Sequence, residues 1–475
     1  LVFLSQPFID VRKSLISFLP SGINTKLKEK LLKFYLKKLK DNPNLHDKIE
    51  FDLAINCYLF DFENQFKKLS PNLLNTREIA FLKKSYKNMF TKNLSIRNKG
   101  SVDFNLKKVE KINTDFEKLK YENNIEKLIR HTIKNGIIPF SILARHAFIA
   151  ENILRSLLRL KVLKNHEINR FKSSIRTITS EFINDCTLLS KNIIKFKFFI
   201  EKYGHLRPGS YDINSKSYSE LPKGFFLKKK NFFLSKKKPS LNLTKSSKKN
   251  MHLILKKNHL PLDTRSLFNY IEKSIASREY SKFIFSKSIN SVFENLIKFS
   301  RKLSIKRDDL EYISIKKILD SYSVLETEKL AHTLKKEIKE NKKSYEILKQ
   351  IKFPDFITSA NDVYYHKIKA SRGNFITDKK ISGNSIYLNE MKNLKKLNKK
   401  IVIIENADPG FDFIFSYQIK GLITKYGGAN SHMAIRCLEL DIPAIIGIGQ
   451  NGFDKICNSN FIEFDCEQKT FKINN

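Results

Sequence analysis

Residues 421–449 read GLITKYGGANSHMAIRCLELDIPAIIGIG, and the succession of residue types in them decides how the C-terminal part of the chain folds. Ile419–Thr424 is an apolar run of strand character. Gly427 and Gly428 follow it and let the backbone turn tightly and approach a ligand without a Cβ in the way. Asn430 and Ser431 are N-cap residues, and Met433–Leu440 has the spacing of a short helix. Ala444–Ile448 is a strand again. His432 therefore stands at a helix N-terminus just after a glycine turn, where backbone N–H groups and the positive end of the helix dipole favour an anion. The dipole disfavours the protonated ring, and a neutral imidazole, with an ordinary pKa of about 6.5, is what a nucleophile needs. A phosphoryl group on His432 would lie over the N–H groups of the Gly427, Gly428, Asn430 and Ser431 turn. Arg436, four residues on and on the same helix face, could reach its oxygens. Taken alone, a histidine in such a place is more often an exposed side chain without a role.

Outward from this stretch, Phe375–Thr377, Ile401–Ile404 and Phe461–Phe464 read as further short strands. Residues 353–475 thus form a small α/β domain. Residues 1–220 and 261–352 read as two helical blocks. In the first, Ile153, Leu154, Leu157, Leu158 and Val162 make one stripe, and Phe171, Ile175, Ile178, Phe182 and Cys186 make another. These are core faces. Between the blocks, residues 221–260 carry Lys228–Lys230, Lys236–Lys238, Lys248, Lys249, Pro239 and several Ser, which predicts a basic, flexible connector dispensable for folding. Phe225, Phe226, Phe232 and Phe233 interrupt it and could dock it on a neighbouring surface. The fold class is multidomain, a mainly α-helical region followed by a small α/β domain.

The composition narrows the function. The chain has 475 residues, a formal net charge of +41 and 41% hydrophobic residues, enough apolar surface to exclude a wholly disordered chain. The excess charge is chiefly Lys, accompanied by abundant Ile, Asn and Phe and by no Trp. It supplies only a non-specific electrostatic attraction for nucleic acid, without the Arg forks and stacking aromatics of a specific reader. From Ile401 onward there are six Lys or Arg against nine Asp or Glu, a net charge of −3. The positive charge lies upstream of the segment with the chemistry. Five cysteines without CxxC or His-paired spacing argue for a reducing, cytoplasmic setting and against structural zinc, and no metal site is read from the sequence. No stretch approaches the roughly 18 uninterrupted apolar residues of a membrane helix. The chain begins at Leu1 without a signal pattern and reads as a fragment lacking an N-terminal part.

The segment Phe353–Asn475 resembles the phosphohistidine, or swivelling, domain of phosphoenolpyruvate-utilising enzymes such as phosphoenolpyruvate synthase, pyruvate phosphate dikinase and rifampin phosphotransferase. The resemblance is carried by Gly427-Gly428, Ser431, His432, Ala434, Ile442-Pro443-Ala444 and Gly447, with Asp408-Pro409 and Phe411–Phe415 upstream. It implies that His432 is phosphorylated and carries the group from an ATP or phosphoenolpyruvate site to a small-molecule acceptor. It also implies an ATP-grasp-type nucleotide-binding domain as partner, upstream or on another chain, with ATP and Mg²⁺ held there. A carrier domain of this kind is expected to fold by itself and to move as a rigid body. Two departures stand out: Asn430 replaces the common Thr two residues before the His, and the frequent Arg six residues after it is Leu438, with Arg436 two positions earlier. The chain ends soon after Phe471, which leaves no room for a following barrel and favours the rifampin-phosphotransferase-like arrangement.

A second signal lies at Tyr203–Asp212, YGHLRPGSYD. A helix ending at Tyr203, a Gly204 cap and a Pro208-Gly209 turn put His205, Arg207, Tyr211 and Asp212 on one loop. The reading is balanced between substrate contact and a structural turn. The loop and the stretch Pro7–Arg12 resemble the helical region of phosphoenolpyruvate-synthase-like proteins. Two other functions compete: a catalytically idle docking protein that keeps the swivelling fold, and a basic nucleic-acid-binding protein using residues 221–260.

Overall fold

The computed structural model describes residues 2–3, 6–46, 48–120, 124–227, 243–320, 327–348, 350–351, 353–354, 356–364, 373–388, 394–429 and 431–474. The chain divides into two compact units, Leu1–Ile175 with Lys237–His366, and Arg176–Lys236 with Lys367–Asn475.

The first unit is helical apart from the two-residue strands β1 (Val2–Phe3) and β2 (Gln6–Pro7), which pair antiparallel. Its helices form where a cap and an apolar stripe coincide. Thr25–Asp41 starts on Asn24, whose side chain accepts from Leu27 N at 2.8 Å, and it buries Leu27, Leu31, Tyr35 and Leu39 while Lys26, Lys30, Lys33, Lys37 and Lys40 face water. The 39-residue helix Thr264–Lys302 starts on Asp263 and packs along Ile138–Arg159 and Val102–Lys120. Ile125–Arg159 is long and apolar enough to cross a membrane by length and composition, and half of its window is buried inside the chain. The core helix of a folded unit has the same character.

Residues 221–260 depart from the expected connector at both described ends. Lys245–Lys257 is a helix capped by Thr244, with Met251 and Leu255 in the core and Lys248 and Lys249 exposed. The buried Glu167 carboxylate accepts from Thr244 N at 2.9 Å and from Ser247 Oγ at 2.8 Å, and so pins the start of that helix. At the other end Phe225 and Phe226 are buried. Residues 228–242, with Lys228–Lys230, Lys236–Lys238, Phe232, Phe233 and Pro239, lie outside the described residues. The expected stripe from Phe171 to Cys186 is also broken. Asn165–Ser174 ends before Ile175, and a new helix, Ile178–Ser190, starts on a Thr177–Ser180 capping box. Phe171 and Ile175 belong to the core of the first unit, whereas Phe182 and Cys186 are buried in the second.

The second unit is built on a seven-stranded mixed sheet, β3 (Asn374–Ile376), β4 (Lys380–Tyr387), β5 (Ile401–Asn406), β6 (Gly421–Tyr426), β7 (Ala444–Ile446), β8 (Phe461–Asp465) and β9 (Thr470–Asn474), in the order β3-β7-β6-β5-β4-β8-β9. The central pairs β4–β5, β5–β6 and β6–β7 are parallel, and the outer pairs are antiparallel. Central parallel strands are covered on both faces, and Ile401, Val402, Ile403 and Ile404 of β5 are accordingly all buried. The helix His432–Glu439 crosses from β6 to β7. A second helix, Gly449–Cys457, which the sequence reading took as part of a strand-to-strand passage, sends Phe453 and Ile456 into the core with Ile403, Ile423 and Ile445.

The described part of Arg176–Lys236, residues 176–227, packs with this sheet domain, where the sequence reading drew the boundary at 353 and assigned residues up to 220 to a helical block. The cause is an aromatic cluster. Phe182, Phe199, Tyr203, Tyr218 and Phe226 contact one another, and Phe225 reaches Phe413 with ring centroids 4.7 Å apart. Phe353–Asn475 produced by itself would leave the Phe413 face bare and is expected to aggregate. Co-production of Arg176–Lys236 is expected to restore a soluble species with a cooperative unfolding transition. Indistinguishable solubility with and without that segment would count against this packing.

Candidate functional site

The turn between β6 and the following helix is fixed by its backbone. Gly427 has φ +129°, and a Cβ there would lie 2.6 Å from Ala407 Cβ; Gly447, with φ +72°, passes so close that a Cβ would lie 2.1 Å from the Gly427 carbonyl oxygen. Only glycine serves at either position. Thr424, fully buried, ties the strand ends together: its hydroxyl donates to Tyr426 O at 2.9 Å and accepts from Gly447 N at 3.0 Å. Ser431 N donates to Gly428 O at 2.9 Å, and Ser431 Oγ caps the helix by accepting from Ala434 N at 3.3 Å. The expected helix start is thus present, with His432 as its first residue. Asn430 lies outside the described residues.

His432 is not the exposed side chain that such a position suggests when taken alone. It is 8% exposed, and its Nε2 lies 2.6 Å from Asp412 Oδ1. Sequence reasoning considered only the dipole at this position; the Asp412 carboxylate adds an acceptor for a ring hydrogen. Asp412 sits in the 3₁₀ turn Pro409–Ser416 and was missed in the sequence. Its signal was there: a lone acid inside the apolar run Phe411–Phe415 must be buried against a partner. Arg436 lies one turn along the same helix and is buried. Cys437 beside it is held as the thiol, its pKa pushed well up by burial.

The Asp412 turn rests on the loop that gave the second signal. Tyr218 Oη donates to Gly410 O at 2.8 Å, and a Cβ on Gly410 would lie 1.8 Å from the Arg207 carbonyl oxygen. Burial, and then the Asp412 charge, hold the Tyr218 hydroxyl well above its ordinary pKa, so it remains a donor. Within the loop, Arg207 is buried and donates to Ser215 O at 2.9 Å, while Asp212 Oδ1 accepts from Asn214 N at 2.8 Å. These contacts build the turn. His205 is buried, whereas Tyr211 is 61% exposed; partial burial and the nearby Asp408 raise its pKa.

Tyr218→Phe removes one neutral hydrogen bond and is expected to cost the second unit about 1 kcal/mol. Gly410→Ala forces a methyl group onto the Arg207 backbone and is expected to cost about 1–3 kcal/mol. Urea unfolding followed by the aromatic signals of this unit measures both; a neutral Gly410→Ala would show that the close approach does not govern stability.

The family model described as PEP-utilising enzyme, mobile domain, matches residues 397–469, which include Asp412, His432 and Arg436. Among curated proteins, the chain is similar to the rifampicin phosphotransferase of Bacillus cereus, 25% identical over 276 residues, and to that of Bacillus subtilis, 23% identical over 276 residues. Each alignment covers 53% of this chain and 31% of the relative, so the matched part spans about a third of the relatives' length. The match bears out the resemblance read from the glycine turn and the helix that follows it: residues 397–469 are similar to the mobile domain of the PEP-utilising enzymes.

Proposed function

We propose that this chain is the carrier part of a phosphotransferase and that His432 takes up a phosphoryl group and hands it to a small-molecule acceptor. The observation that carries the reading is His432 at the start of a capped helix, behind the Gly427 turn, inside the segment matched as a mobile domain. A ring nitrogen attacks phosphorus, an N–P bond forms, and the donor's bridging oxygen leaves with the electron pair of the broken P–O bond. A histidine carrier divides a difficult transfer into two easier ones. Helix-start N–H groups and the Arg436 guanidinium, once it faces the group, favour the phosphate charge.

Among the described residues, no group of three or more His, Cys, Asp or Glu is arranged to hold a metal ion. From the resemblance, the reading assigns ATP and Mg²⁺ to a nucleotide-binding partner domain of ATP-grasp type, and none of the steps above runs through them. Phosphoenolpyruvate as donor and the identity of the acceptor belong to the same proposal, as does a contribution of His205, Arg207, Tyr211 and Asp212 to substrate contact.

With a nucleotide-binding partner and Mg-ATP supplied, the chain is expected to take up one acid-labile, base-stable phosphate. His432→Gln is expected to abolish it. Arg436→Ala is expected to slow uptake about 10–100-fold, the worth of one charge-assisted contact. Labelling that survives in His432→Gln overturns the assignment, and a wild-type chain that never labels leaves the docking-protein reading in its place.

A further inference from the structure

We propose that Asp412 is a positioning residue for His432: it holds the unphosphorylated ring with Nε2 against its carboxylate, so that this nitrogen is closed to a phosphoryl donor until the ring turns away. The inference rests on the reading of His432 as the carrier. The two side chains are 7% and 8% exposed and meet at 2.6 Å. A carboxylate oxygen at that distance, sheltered from water, accepts a hydrogen bond, so Nε2 carries a hydrogen and its lone pair is engaged. A nucleophile needs that lone pair.

The carboxylate is held in place from three sides. Gly410 is seated on the Arg207 carbonyl and bonded by Tyr218, Phe413 packs at a tilt against Phe225, and Ser416 Oγ closes the turn on Phe413 O. A side-chain torsion can turn the histidine ring while the helix start stays fixed.

Uptake at Nε2 from a nucleoside triphosphate or an enol phosphate then has a defined order. Starting from the ring cation paired with the carboxylate, the Nε2 proton passes to Asp412 and Nδ1 keeps the ring's other hydrogen. The ring turns off Asp412, Nε2 bonds to phosphorus, and the P–O bond to the leaving group breaks with its electrons on oxygen. The phosphorylated ring cannot return once Asp412 has passed that proton to solvent, because phosphate and carboxylate oxygens are both anionic acceptors and would meet in a buried site. Phosphorylation thereby keeps His432 turned outward for delivery.

The test needs no phosphoryl donor, so its failure is distinct from failure of the carrier reading. In ¹H–¹⁵N spectra of the whole wild-type chain, the His432 ring is expected to carry hydrogen at Nε2; a bare Nε2 overturns the proposal. Diethyl pyrocarbonate, followed by peptide mass spectrometry, is expected to modify wild-type His432 at least about tenfold more slowly than the exposed His166 and His252. Asp412→Ala is expected to bring His432 close to their rate while buried His146 stays slow. A fast wild-type His432, or a slow one unchanged in Asp412→Ala, overturns the proposal. Should His146 become reactive, reporting an opened fold, the wild-type ring spectrum decides alone.

Discussion

A buried carboxylate against a buried imidazole is the contact on which the second unit is organised. Placing Asp412 among Phe411, Phe413 and Phe415 costs solvation that only a hydrogen-bonded partner offsets. His432 is that partner, and each end is held by a separate set of backbone constraints. On the histidine side, Gly427 and Gly447 pass too closely for any Cβ, and Ser431 caps the helix. On the aspartate side, Gly410 lies on the Arg207 backbone, and Tyr218 and Phe225 clamp the turn.

It follows that the residues around the candidate carrier are not confined to one stretch of sequence. The aromatic cluster from Phe182 to Phe226 gains its burial by covering the Asp412 turn. A substitution in that cluster, more than 180 residues upstream in the chain, acts on the geometry of His432 through packing. If His432 travels between two sites, the described part of Arg176–Lys236 travels with it, because separating them would expose both Phe413 and Phe225. The YGHLRPGSYD loop gains a role at the same time. Its Arg207 and Asp212 shape the turn against which Gly410 rests, so a positioning function is built into the loop whether or not it also meets a substrate.

Much of the candidate site was legible in the sequence because its determinants are local. A glycine turn, an N-cap serine and an apolar run with helical spacing act within about ten residues, and they placed His432 at the start of a helix between two strands. The helix ending at Tyr203 with Gly204 as its cap was legible for the same reason. Where local signals were weak, the reading failed. Gly449–Cys457 contains two glycines and an asparagine, poor helix formers, and it is a helix because Phe453 and Ile456 have a sheet to cover. Lys245–Lys257 looked like solvated connector because its lysines outnumber its apolar residues, although Met251 and Leu255, with Ile254 beside them, dock it in the core.

The sequence by itself determined the elements around His432, the glycines they require and the class of anion chemistry that a helix start allows. Which surfaces those elements would meet was decided only in the tertiary structure. Asp412 is 20 residues from His432, and Tyr218 is 192 from Gly410, distances over which no periodicity carries information. An apolar face specifies that it must be covered, not by what. The hydrophobic effect is non-directional, and only the assembled unit, with its close glycine contacts and its one shared carboxylate, selects the partner.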